Sequence, residues 1–134
     1  MNIRYAEHKD ADIINTHDEW INREMLIKKI EDKQIYVVYD GDNFVGWLRY
    51  GLFWDTTPFM NMLYLLERYR GKGIGKQLVI FWENDMKSKG YKTLLTSSAQ
   101  NEYAQHFYTK LGYESIGGFV LEKEPFEIMF VKFV

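Results

Sequence analysis

Apolar side chains recur along this chain with two different periods. Asn2 to Ala6 alternates polar and apolar positions, the signature of a half-buried strand. Asp10 and Asp18 then stand where N-caps would introduce two helical stretches, the second placing Ile21, Met25, Ile27 or Lys28, and Ile30 loosely on one face beside Trp20. Gln34 to Tyr39 and Phe44 to Trp54 are rich in Tyr, Val, Phe and Trp, and Gly41-Asp42-Asn43 between them is turn chemistry, so the pair reads as an antiparallel hairpin. Pro58 breaks the pattern, and Phe59 to Leu66 runs almost wholly apolar, as a central strand covered on both faces should. Ile74, Leu78, Phe81, Trp82 and Met86 form one helical stripe that stops at Gly90. Tyr91 to Thr96 reads as a buried strand, and Ala104, Phe107, Tyr108 and Leu111 share one face of a short helix bounded by Asn101 and Gly112. Tyr113 to Leu121 and Phe126 to Val134, separated by Glu122-Lys123-Glu124-Pro125, close the chain as an antiparallel pair.

The resulting order is β-α-α-β-β-β-α-β-α-β-β, an α+β class with a mixed, mostly antiparallel sheet flanked by helices. At 134 residues, 46% hydrophobic and 17% aromatic, the chain reads as a single domain over residues 1–134 with a real core. Its 17 Lys and Arg against 19 Asp and Glu supply no field for gathering nucleic acid. With no cysteine there is no disulfide framework, thiolate zinc site or Cys nucleophile, and a cytoplasmic location is expected. His8, His17 and His106 lack metal-binding spacing, so no metal is expected. Charge at Glu7, Lys9 and Asp10 leaves no signal-peptide core, and no uncharged apolar run reaches the ~18 residues of a bilayer span, so no membrane association is expected.

Candidate chemistry concentrates at Arg70-Gly71-Lys72-Gly73-Ile74-Gly75, between the apolar strand and the long helix. Glycines let the backbone turn, and the first N–H groups of a helix have no intrahelical partner, so they point outward at the positive end of the dipole. Arg68, Arg70, Lys72 and Lys76 face a single carboxylate, Glu67, across this stretch. The amides form an anion cradle suited to a pyrophosphate, and Arg68, Lys72 and Lys76 supply charge for a third phosphate nearby. Gly71 to Gly75 is one residue short of an ATP-binding P-loop, and Gln77 replaces its hydroxyl. A dinucleotide fold would need a later third glycine and a carboxylate after the next strand, where Thr96-Ser97-Ser98 has none. Coenzyme A remains.

At these residues the chain resembles the GCN5-related N-acetyltransferase (GNAT) family, whose loop pattern is met by Arg70, Gly73 and Gly75. Asn101 to Tyr113 is similar to the family's later helix, with Asn101, Ala104, Phe107-Tyr108, Lys110 and Gly112-Tyr113 in their usual places. The resemblance implies an N-acetyltransferase that uses acetyl-CoA and a small-molecule or peptide amine by direct attack. It also implies that the main-chain N–H groups of Arg70, Gly71, Lys72, Gly73, Ile74, Gly75 and Lys76 bind the pyrophosphate. Leu63 and Leu65 would run beside pantetheine, Asn101 would hydrogen-bond the cofactor, and Tyr108 would offer its hydroxyl to the thioester sulfur.

An alkyl ammonium of pKa near 10.4 is only about one part in a thousand neutral near pH 7.4, so a proton acceptor is needed. Relatives often place a carboxylate on the central strand, but here only Asn61 and Tyr64 are polar, leaving Glu67, Asp55 or water. That bare strand motivates the alternative of a non-catalytic acyl-CoA-binding or partner-recruiting module. Tyr108 also fits a plain helix stripe, Asn101 an ordinary N-cap, and Trp20, Tyr50, Phe53 and Trp54 an aromatic-rich core in preference to an acceptor pocket. Exposed C-terminal strands admit a homodimer.

Overall fold

In the computed structural model, which describes residues 1–134, the elements follow the predicted order. They are β1 (Asn2–Tyr5), α1 (Ala11–His17), α2 (Arg23–Glu31), β2 (Ile35–Asp40), β3 (Asn43–Phe53), β4 (Thr57–Leu65), α3 (Ile74–Ser88), β5 (Thr93–Ala99), α4 (Ala104–Lys110), β6 (Glu114–Phe119) and β7 (Glu127–Phe133). The strands form one seven-stranded sheet in the order β1-β2-β3-β4-β5-β7-β6. The β1/β2, β2/β3, β5/β7 and β6/β7 pairs are antiparallel, and β4/β5 is parallel. No helix is long and apolar enough to cross a membrane. The chain divides into two compact units, Met1–Tyr50 with Met62–Trp82, and Gly51–Asn61 with Glu83–Val134.

In the first unit, alternation along β2 and β3 sorts side chains onto two faces. Ile35, Val37 and Trp47 pack with Ala11 and Ile14 of α1 and Leu26 and Ile30 of α2. On the other face the Tyr36 ring meets Phe81 edge-on at 5.7 Å, and Tyr50 lies 6.0 Å from Trp82, which seats the middle of α3. Gly46 brings backbones together: a Cβ there would stand 2.2 Å from the Tyr64 carbonyl oxygen and 2.8 Å from Leu65 Cδ2.

The two aspartates read as N-caps serve the interior instead. Asp10 is 1% exposed and accepts from Arg4 Nη1 at 2.8 Å, Arg4 Nη2 at 3.1 Å, the Glu7 amide at 2.8 Å and Tyr39 Oη at 2.8 Å. Asp18 is equally buried and accepts from Arg49 Nε at 2.8 Å, Trp47 Nε1 at 3.2 Å and the Trp20 amide at 3.1 Å. The residue capping α2 is Asn22, whose side chain accepts from the Met25 amide at 2.8 Å. Leu26 and Ile30 form the buried face of α2, while Met25 is exposed.

Two further expectations fail on orientation. Of the aromatics assigned to the core, only Tyr50 is buried, whereas Trp20 and Trp54 are 77% and 81% exposed. β4 is central in the sheet order but not covered on both faces, since Asn61 and Tyr64 are exposed.

In the second unit, α3 ends as predicted at Gly90, whose amide donates to Lys87 while the Tyr91 amide donates to Met86. Glu83, on the buried side of α3, accepts from Tyr113 Oη at 2.7 Å and from Lys132 Nζ at 3.1 Å, fastening helix, corner and β7 together. Burial, then the adjacent Glu83 charge, pushes the Tyr113 phenol far above its ordinary value. β6 lies at the sheet edge, exposed along its length and bulged between Ser115 and Gly117.

Candidate functional site

The exit from β4 is built by hydrogen bonds from consecutive residues. The Leu66 amide donates to the Val45 carbonyl at 2.8 Å, and a 3-10 turn over Glu67–Tyr69 follows, closed by Tyr69 N–H to Leu66 at 2.9 Å and Arg70 N–H to Glu67 at 3.1 Å. The backbone then passes through the left-handed region at Gly71 (φ +73°) and Gly73 (φ +81°), where a Cβ would be strained, and enters α3 at Ile74. The first helical bond is Gln77 N–H to the Gly73 carbonyl at 3.1 Å. The amides of Gly71, Lys72, Gly73, Ile74, Gly75 and Lys76 donate to no acceptor within the protein.

Arg70 departs from the expected set: its amide is already bonded, and its side chain braces the loop. Its Nε donates to the Leu65 carbonyl at 2.9 Å, and its guanidinium lies 5.0 Å from the Tyr64 ring centre. Arg68 similarly covers the Tyr69 ring at 4.9 Å. Arg68, Lys72 and Lys76 form no salt bridge. Free amides at the positive end of a 15-residue helix, unpaired cations and open space around Gly71 and Gly73 fit a polyphosphate.

Upstream of the loop, Leu63 and Leu65 are half-buried on β4. Glu67 is exposed, and so is Asp55, which sits in a turn where it and Trp54 both adopt positive φ, +63° and +54°.

In the second unit, Tyr108 is 6% exposed on α4, its ring 5.9 Å from both Tyr113 and Phe130. Burial pushes its phenol up to about 12; the Thr96 side chain opposes that rise, while the charges of Glu102 and Glu127 add to it. Thr96 is fixed in turn, donating to the Met60 carbonyl at 3.1 Å. At that value the phenol stays protonated through the neutral range, so its hydroxyl is available as a hydrogen-bond donor and is a poor proton donor to a thiolate of reference pKa near 8.5. Asn101 does not cap α4, which starts at Ala104 with Tyr103 at the N-cap position; its carboxamide is exposed and free of protein hydrogen bonds.

Sequence reasoning passed over three polar residues here. Glu83 lay in plain view on the apolar stripe of α3, next to Trp82. Ser97 and Glu127 meet at 2.7 Å across 30 residues of chain, a contact no local pattern announces.

The sequence profile of the Acetyltransferase (GNAT) family matches residues 3–113. No curated protein matches the chain in sequence. Among solved structures, the fold is similar to Ard1 from Thermoplasma volcanium, with a TM-score of 0.86, 15% identity, and coverage of 99% of this chain and 97% of that one. It is similar to PaiA N-acetyltransferase from Thermoplasma acidophilum in complex with coenzyme A, with a TM-score of 0.82, 20% identity, and coverage of 99% and 98%. A chain of the NatC complex bound to Gag peptide and CoA gives a TM-score of 0.82 at 15% identity, covering 100% of this chain and 99% of that one.

Proposed function

Because the chain belongs to the acetyltransferase (GNAT) family, we propose that it moves the acetyl group of acetyl-CoA to a primary amine, by direct attack within a ternary complex. The observation that carries this reading is the run of unpaired amides from Gly71 to Lys76 at the start of α3. These amides would hold the pyrophosphate, with Arg68, Lys72 and Lys76 supplying charge for a further phosphate. Bound acetyl-CoA supplies the activated acyl carbon. Leu63 and Leu65 would lie along the pantetheine arm, Asn101 would offer its free carboxamide to the cofactor, and Tyr108, held neutral by burial, would donate a hydrogen bond to the sulfur as charge develops there. Two structural relatives were solved with coenzyme A, one of them also with a peptide, which supports this cofactor and a peptide amine as acceptor; a small-molecule amine is the other acceptor this reading admits. We read residues 1–134 as one acetyltransferase domain.

The test is calorimetric binding of coenzyme A, together with thiol release from acetyl-CoA in the presence of amines. Gly73→Asp sets a carboxylate against the pyrophosphate and should abolish binding; equal affinity in that variant would remove the cradle assignment. Binding of coenzyme A without thiol release on any amine would leave a binding module only.

A further inference from the structure

We propose that Glu127 is the proton acceptor for the attacking amine, a role that rests on the acetyltransferase reading above and that β4 has no carboxylate to fill. β5 and β7 pair antiparallel, with Thr96 opposite Phe130, Ser97 opposite Met129 and Ala99 opposite Glu127. Alternation therefore places Thr96 and Phe130 on one face, and Ser97 and Glu127 on the other. Tyr108 stands on the first face, its ring against Phe130 and its hydroxyl against Thr96. On the second face Ser97 Oγ donates to Glu127 Oε2 at 2.7 Å. Adjacent residues of one strand thus support a phenol on one side of the sheet and a carboxylate on the other.

This point of β5 is also where its pairing with β4 stops, the last registered pair being Met60 and Thr96. Direct attack needs a proton removed on the nucleophile's side and a donor on the sulfur's side, and a carboxylate sharing Tyr108's face would compete for the phenol proton instead. Glu127 is half-buried and forms no salt bridge, so no lysine or arginine occupies its oxygens. Opposite it on β6 stands Phe119, and the other charge acting on Tyr108 is Glu102.

In the step itself, the bound ammonium donates a hydrogen bond to Glu127, which takes that proton as the nitrogen engages the acyl carbon and its N–H groups turn acidic. The freed nitrogen lone pair closes the C–N bond as the C–S bond breaks, the second nitrogen proton neutralises the departing thiolate, and Glu127 returns its proton to solvent. Ser97 orients the carboxylate.

The experiment follows thiol release from acetyl-CoA between pH 6 and 10, with spermidine, with tetra-alanine, and with water alone as the slow acceptor. Glu127→Gln, which still accepts from Ser97, should lower kcat/KM about 100-fold at pH 7. It should then regain about tenfold per pH unit as the neutral amine fraction rises. Glu127→Asp should fall between the two, and coenzyme A should raise the Tm of Glu127→Gln as much as that of the parent. A Glu127→Gln enzyme within threefold of the parent, with the same pH profile, overturns the role of Glu127 and leaves the acetyltransferase reading standing. A parent protein that binds coenzyme A yet releases thiol with none of the three acceptors overturns both.

Discussion

Arg70 reaches back over the loop it opens, its Nε 2.9 Å from the Leu65 carbonyl and its guanidinium 5.0 Å from the Tyr64 ring. Its main-chain N–H, expected to meet the pyrophosphate, is bonded to Glu67, so Arg70 braces the loop while the amides from Gly71 to Lys76 stay free. Arg70→Ala should weaken coenzyme A binding about tenfold, through loss of a charge-assisted bond and a stacked cation, with little change in Tm. Arg70→Lys should not restore the affinity, because an ammonium lacks the planar fork. Calorimetry with coenzyme A checks both.

Tyr108 should behave as a donor that never ionises under working conditions. With its phenol at about 12, the kcat profile should show no limb from it below pH 10, and Tyr108→Phe should lower kcat by 10- to 100-fold without altering coenzyme A affinity. Spectrophotometric titration at 295 nm should find the tyrosine missing from Tyr108→Phe among those titrating near pH 12. Because the folded value exceeds the unfolded value of about 10, this group's contribution to stability is complete below pH 10 and is lost as pH rises toward 12.

Asp18 and Arg49 form a buried pair, their side chains 0% and 9% exposed. Asp18→Ala strands a guanidinium in the core and should cost about 3–5 kcal/mol, read from urea unfolding. Asp18→Leu combined with Arg49→Met removes both charges and should recover most of that loss.

Asp10 links the stability of its surroundings to pH on the acid side. Desolvation is the largest single influence on its carboxyl and pushes it up, but hydrogen bonds from Arg4, the Glu7 amide and Tyr39 together hold it below the ordinary 3.8. Its contribution is therefore present above about pH 4 and lost as pH falls through the lowered folded value. Asp10→Asn should flatten the acid side of a plot of Tm against pH.

The parts legible in sequence were those with local causes. The α3 stripe from Ile74 to Met86, the glycines before it and the stop at Gly90 depend on neighbours within one or two turns, and the order of elements followed from such segments. Asp10 and Asp18 misled because an aspartate ahead of an apolar run looks the same whether it caps that helix or turns inward to a strand; the partner of Asp18 lies 31 residues away. Trp20 and Trp54 misled because hydrophobicity names a side chain without saying which way it faces. Glu127 was passed over for the distance reason: its binding partner belongs to another strand.

Gly46 carries no chemistry, yet it governs how far the segment bearing Tyr64 and Leu65 can settle against its neighbour. A single methyl at this spot would strike the Tyr64 carbonyl and wedge the two apart, shifting the adjacent Leu65 carbonyl on which Arg70 rests and, from behind, the loop proposed to hold the pyrophosphate. Such a variant would look like a binding defect in every assay while every group that meets the ligand stayed intact, so loss of affinity alone does not identify a contact.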